Sequence, residues 1–227
     1  MRFLCGNISI EEAAAAAQEE ESGMRKPKTY RQQTMETCGP CCILMALTAF
    51  GREPRDMGRD RYARREADLY KSFRCTDFMG MTGAAVAHVL ARYGLRVTLL
   101  HESEQLIENR GGYFPQGMYN ALLAEHMHRI GQGGFSVEAG IALDTDRIRA
   151  ELAADRMTIV QCFIPGDADG IHDHVLHWIL VYGWDGSVFR ACDPLSGRIA
   201  LTDRELGAMM ITPAGASAIA VGEHGAM

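Results

Sequence analysis

The chain of 227 residues is 47% hydrophobic and 23% charged, the make-up of a globular protein long enough to bury its own core. Its net charge of −6, with no long basic run, argues against a nucleic-acid backbone as the main partner. No apolar run is long enough to span a membrane. Met1-Arg2-Phe3-Leu4-Cys5 soon meets acidic residues instead of the apolar stretch of a secretion signal. Together with seven cysteines, an odd number, this predicts a cytoplasmic protein with free thiols.

In chain order, Glu11 to Glu21 reads as a short alanine-rich helix, set apart as an N-terminal helix and tail over 1–28 from a single domain over 29–227. A polar segment, Thr29 to Thr37, leads into Cys38-Gly39-Pro40. Proline suits the first turn of a helix, where its missing N–H costs nothing. The run from Cys42 to Phe50 is apolar nearly all round, and Gly51 stops it. This predicts a buried helix with Cys38 at its N-terminus. Arg59 to Lys71 reads as a charged helix with a solvated face. Thr82 to Tyr93 is an amphipathic helix and Leu95 to Leu100 a short strand. Gln116 to Arg129 is a further helix on which His126 and His128 are expected to be exposed. Asp144 to Ala154 is another, with Asp144 or Thr145 as its cap.

The period then changes. Met157 to Ile164 reads as a strand that stops at Pro165-Gly166. Val175 to Tyr182 and Ser187 to Cys192 are two more, joined through Trp184-Asp185-Gly186, a hairpin signal. Arg198 to Leu201 and Ala218 to Val221 add short strands. Helices first and an antiparallel sheet afterwards describe an α+β domain.

A thiol at a helix N-terminus is shifted towards thiolate by the helix dipole and the unpaired N–H groups. Cys38 fits this description, and Gly39 beside it leaves room for a substrate carbonyl. A nucleophile needs a base, and the base an orienting partner. His177 lies on the second strand of the hairpin region and Asp193 at the end of the third, so an antiparallel pairing brings them side by side.

Gln32, six residues before Cys38, followed by Cys-Gly-Pro at a helix start, resembles the papain-like cysteine peptidases. His177-Trp178-Ile179-Leu180-Val181-Tyr182 with Asp193-Pro194 further on is most similar to the bacteriocin-processing peptidases that cut after double-glycine leaders. The resemblance implies a papain-like fold, with a helical half, an antiparallel sheet and the active site in the cleft between. It implies Cys38 as nucleophile, His177 as base, Asp193 as orienter and Gln32 as oxyanion donor, with no cofactor. The partner is then a peptide or acyl-amide substrate. The thioester goes to water in a peptidase, or to an amine acceptor in an amide-forming acyltransferase of the same fold. The segment from Cys38 to His177 is longer than in the compact leader peptidases. Its surplus is expected around Glu102 to Gly140, with Gly111-Gly112-Tyr113-Phe114-Pro115 as a lid or a substrate wall. No transporter segment follows.

Three other readings compete. Cys38-Gly39-Pro40-Cys41 spells a redox C-x-x-C, but the polar residues before it are not the strand such a motif follows. His172, His174 and His177, with Cys38 or Cys162, have the makings of a zinc site, although the preceding Asp167-Ala168-Asp169-Gly170 reads as a solvated loop. A catalytically silent binding module would also keep the fold, against which the intact Gln/Cys/His/Asp set speaks. The sequence carries no signal for an oligomeric state.

Overall fold

The computed structural model describes residues 26–75, 80–165 and 174–224. The helix expected over Glu11 to Glu21 and the residue His172 lie outside them. Helices α1 (Cys38–Ala49), α2 (Arg59–Phe73) and α3 (Gly83–Arg92) come first. Strand β1 (Arg96–His101), a short 3-10 turn (Arg110–Gly112), α4 (Gln116–Gln132), β2 (Ser136–Glu138) and α5 (Thr145–Ala153) follow. The last part holds β3 (Met157–Pro165), β4 (His174–Trp184), β5 (Phe189–Asp193), β6 (Gly197–Leu201), α6 (Asp203–Met209) and β7 (Ser217–Gly222).

Every residue of α1 is buried, as its unbroken apolar run requires, and Cys42 Sγ donates to the Trp178 carbonyl of β4 at 3.3 Å. In α2 only Tyr62, Glu66 and Leu69 are buried, one narrow stripe at helical spacing. Thr82 caps α3 by accepting from Ala85 N at 3.2 Å, and Asp144 caps α5 by accepting from Arg147 N at 2.9 Å. The turn between β4 and β5 closes where Asp185 Oδ1 accepts from the backbone N–H of Ser187 and Val188. Gly186 takes the positive φ of 94° that this turn needs.

The seven strands form one sheet in the order β2-β1-β7-β3-β4-β5-β6. Its pairs are antiparallel except β1–β2, which is parallel, a departure from the wholly antiparallel expectation. The final strand β7, buried at all six residues, lies between β1 and β3 and makes the sheet continuous. One face packs against α1 and α3 through residues such as Leu44, Leu90, Leu99, Ile159 and Leu180, and α2 packs on α1. The other face is covered by α5 and α6, whose Ile148, Leu152 and Leu206 meet Val160, Val181 and Phe189. The central strands are thus buried on both sides, which is why β3 reads as a nearly continuous apolar run. A smaller cluster of Ile107, Phe114, Leu122 and Ala214 roofs a cleft at one end of the sheet.

Candidate active site

Cys38 opens α1 and is 5% exposed. The residue before it, Thr37, does not cap the helix. Its hydroxyl donates to the Thr34 carbonyl at 2.9 Å instead. No acidic side chain lies in the first turn. The unpaired N–H groups and the positive end of the helix dipole therefore face Cys38 without a competing anion of the helix itself. The loop ahead of it is pinned from α2, where the buried Glu66 accepts from Gln33 N at 2.8 Å. Burial pushes the Glu66 carboxyl above its ordinary range.

Gly39 plays a different part from the one expected. A Cβ there would touch Met81 Cβ at 3.4 Å, Val86 Cγ2 at 3.5 Å and Trp178 Cδ1 at 3.7 Å. The position faces the packed core, so it is not Gly39 that makes room for a substrate carbonyl. The tight approach lies at Gly80, where a Cβ would come within 2.8 Å of the Glu36 carbonyl oxygen.

His177 is 2% exposed and pairs with Cys162 across β3 and β4. Its Nε2 donates to Asp193 Oδ1 at 2.7 Å. That leaves Nδ1 for Cys38, the second hydrogen-bond partner of the ring. Burial opposes a charged imidazole here. The hydrogen bonds to Asp193 and Cys38 and the negative charges of both partners outweigh it and raise the His177 pKa to about 9. Asp193 ends β5 in a turn that holds its carboxylate. Oδ1 also accepts from Leu195 N at 2.8 Å, and the Ser196 hydroxyl donates to Oδ2. Burial works against the Asp193 charge, but these donors and His177 keep its pKa below the usual carboxylate range.

Gln32 is close to this group without facing the cleft. Its backbone N–H donates to the Pro194 carbonyl at 3.0 Å, which ties the segment before Cys38 to the turn after Asp193. Its side-chain Nε2 donates to the Thr34 carbonyl at 2.8 Å, and its Oε1 is buried without a partner. Cys38, His177 and Asp193 are therefore brought together, while the Gln32 amide is turned onto its own loop.

Cys38 and His177 open onto a cavity of about 510 Å³, within the usual range of ligand pockets. Tyr113 and Phe114 line it and so form a wall, held by Asn109, which accepts from Phe114 N at 2.8 Å and donates to the Phe114 carbonyl at 3.0 Å. The polar lining of the cavity includes His101, Gln161 and Ser217, to which the sequence alone assigns no role, and His126, which it places on the surface. His126 is 1% exposed: α4 packs against α3, and the His126 Nε2 lies 3.1 Å from that of His101. His128, two residues beyond His126, is exposed as expected.

The second cysteine of the C-x-x-C points away from the first. Cys41 Sγ donates to the Tyr30 carbonyl at 3.2 Å and accepts from the Tyr62 hydroxyl at 2.7 Å. Burial pushes its thiol pKa well up. Cys162 is likewise buried, and burial pushes its thiol up. Among the described residues no group of three or more His, Cys, Asp or Glu side chains is placed to hold a metal ion, and no helix is long and apolar enough to cross a membrane.

These features define a cysteine-peptidase-like domain, and a family model agrees. The model described as the Peptidase_C39 like family matches residues 27–212, and the chain belongs to that family. Among solved structures it is similar to a double glycine motif protease from an AMS/PCAT transporter in complex with the leader peptide. The identity is 12% and the TM-score 0.46, over 88% of this chain and 94% of that one. No curated protein gives a match.

Proposed function

We propose that the protein is a cysteine-dependent acyl-transfer enzyme that cleaves an amide bond through a thioester at Cys38. The observation that carries this reading is the His177 ring, held by Asp193 through Nε2 at 2.7 Å and left with Nδ1 for the Cys38 thiol at the start of α1. Cys38 Sγ attacks the substrate carbonyl as thiolate, its proton already on His177. The tetrahedral oxyanion takes the Cys38 N–H as one donor. The Gln32 amide, once turned from Thr34, is the second. Each donor of this kind is worth about 10²- to 10³-fold in rate. As the intermediate collapses, the imidazolium gives its proton to the leaving amine, which departs and leaves the thioester. His177 then takes a proton from water, which attacks the thioester, and the acid product leaves Cys38 as it began. The substrate is a peptide or other acyl-amide, and no step calls for a cofactor.

The apolar wall of Tyr113, Phe114 and Leu122 around the site supports a second reading, in which an amine replaces water and an amide is formed. Intact-mass spectrometry of the enzyme mixed with an acyl-amide and quenched in acid tests both. The expected result is an acyl adduct on wild type and on Gln32→Ala at a rate lowered about 10²-fold, and none on Cys38→Ala. An adduct that survives in water and is discharged by an added amine selects the transferase. An adduct on Cys38→Ala contradicts the thioester.

A further inference from the structure

The cavity does not end at Cys38. The register sets Trp178 beside Gln161 and Ser217 beside His101. Val160 lies beside Ala218, so one step on Gln161 comes next to Ser217. Directly paired residues share a face. Gln161, Ser217 and His101 therefore make one polar row across the sheet floor, from β3 through β7 to β1, with Trp178 of β4 at its end, and all three line the cavity. With neighbouring strands about 4.8 Å apart, the row spans roughly 10 Å. The walls are apolar: Met81, Ile107, Phe114, Leu122 and Leu176.

At the far end His126 of α4 meets His101, Nε2 to Nε2 at 3.1 Å, with the ring centroids 5.0 Å apart, edge to face. One proton serves that contact, so one ring donates and the other accepts. The two Nδ1 atoms are then one donor and one acceptor. Both are buried without a partner, and so is Ser217 Oγ. Buried polar atoms in natural proteins are nearly always met by a hydrogen-bonding group, because leaving them bare is costly. Three bare polar atoms around one end of an apolar cavity mark the place of a polar group that arrives with a ligand. Glu36 is the one carboxylate among the described residues that line the cavity, and it lies two residues from Cys38 instead of at this end.

We propose that the cavity seats the acyl portion of the substrate: an elongated, mostly apolar group on the carbonyl that Cys38 attacks, with a neutral hydrogen-bonding tip that reaches Ser217 and the His101–His126 pair. This rests on Cys38 being the nucleophile. It departs from a substrate with glycine on the acyl side of the cut, which would leave the cavity empty. The chemistry fits a fatty-acyl-type chain or a long amino-acid side chain.

Acyl chloromethyl ketones test this without any assumption about the leaving group. The Cys38 thiolate displaces chloride and forms a thioether, the proton remaining on His177, and the rate is read by intact mass. One arm is a straight-chain series from acetyl to dodecanoyl, with ω-hydroxy counterparts. The other is peptidyl reagents ending in glycine, leucine or tyrosine. The inactivation rate constant is expected to rise by about fourfold per methylene until the cavity is full. The matching ω-hydroxy reagent is expected to exceed its methyl counterpart in wild type and to lose that advantage in His126→Phe. In Leu122→Trp, which fills the cavity, the optimum shifts to shorter chains. A tyrosine reagent faster than every straight chain identifies a side chain as the natural occupant, and the reverse order identifies an acyl chain. Rates flat with length, or fastest for glycine, while iodoacetamide still labels Cys38, overturn the pocket and leave the nucleophile standing. Failure of iodoacetamide to select Cys38 overturns both.

Discussion

Asp193 holds three donors with two oxygens: His177 Nε2 and Leu195 N on Oδ1, and the Ser196 hydroxyl on Oδ2. It fixes which nitrogen of His177 faces Cys38, and its charge helps keep the ring protonated. Asp193→Asn removes that charge and is expected to lower kcat by about 10³- to 10⁴-fold, as loss of the orienting carboxylate does in comparable triads. The same substitution has a stability signature. The folded pKa of His177, about 9, lies above the ordinary value of about 6.5. The imidazolium therefore contributes stability that is present in full below about pH 6.5 and lost as pH rises through about 9, on the order of 3 kcal/mol. Urea denaturation of wild type and Asp193→Asn at pH 6 and pH 9.5 checks this, each pH chosen to sit on one side of that window. The gap between the two proteins should shrink at the higher pH, and a constant gap would contradict the coupling. Cys38, His177 and Asp193 were legible because each sits at an element end with its own local signal: Cys-Gly-Pro at a helix start, a strand histidine, and Asp-Pro after a strand. The orientation of the Gln32 amide was not, since the Thr34 carbonyl it meets is a choice of loop conformation that no spacing encodes.

At the scale of elements, α4 is the clearest misreading. Its 17 residues bury only Leu122 and His126, one helical turn apart. A histidine among Glu125, Met127, His128 and Arg129 looks like part of a solvated face. Its partner His101 is 25 residues away at the end of a strand, and only the docked fold brings them together. Burial lowers the pKa of His101 to about 4. Burial and then the charge of His101 lower that of His126 to about 3. Both rings are thus held neutral. Because these folded values lie below the ordinary one of about 6.5, the associated stability is intact above about pH 6.5 and is lost as pH falls through 4 towards 3. Replacing His126 by Phe removes one of these buried bases. The variant is expected to keep more of its neutral-pH stability at about pH 4 than wild type does, by on the order of 3 kcal/mol. Paired denaturation curves at about pH 7 and pH 4 decide it. Equal losses in the two proteins would mean that the pair is not what acid attacks.

Across the whole molecule, the site depends on chain segments far apart in sequence. Residues 27–32 run along β5 and β6: the Pro27 carbonyl accepts from Arg198 Nη2 at 3.2 Å, Thr29 Oγ1 lies 3.4 Å from Cys192 Sγ, and Gln32 N donates to the Pro194 carbonyl at 3.0 Å. This belt joins the loop that carries Cys38 to the turn that carries Asp193. The α+β class and most element positions were legible, because helix and strand periods are local. The place of β7 between β1 and β3, the parallel edge strand β2 and the second helical layer of α5 and α6 were not. They follow from which apolar faces meet across more than a hundred residues, and a strand buried on both sides carries no mark of its neighbours. All of this converges on one thiol. Intact-mass labelling with limiting iodoacetamide at about pH 6, where an ordinary thiol is mostly protonated, tests the paired Cys38 and His177 most directly. The expected result is one fast adduct that maps to Cys38, vanishes in Cys38→Ala and slows in His177→Ala. Slow, equivalent labelling of several cysteines, or a fast adduct at Cys41, would contradict it.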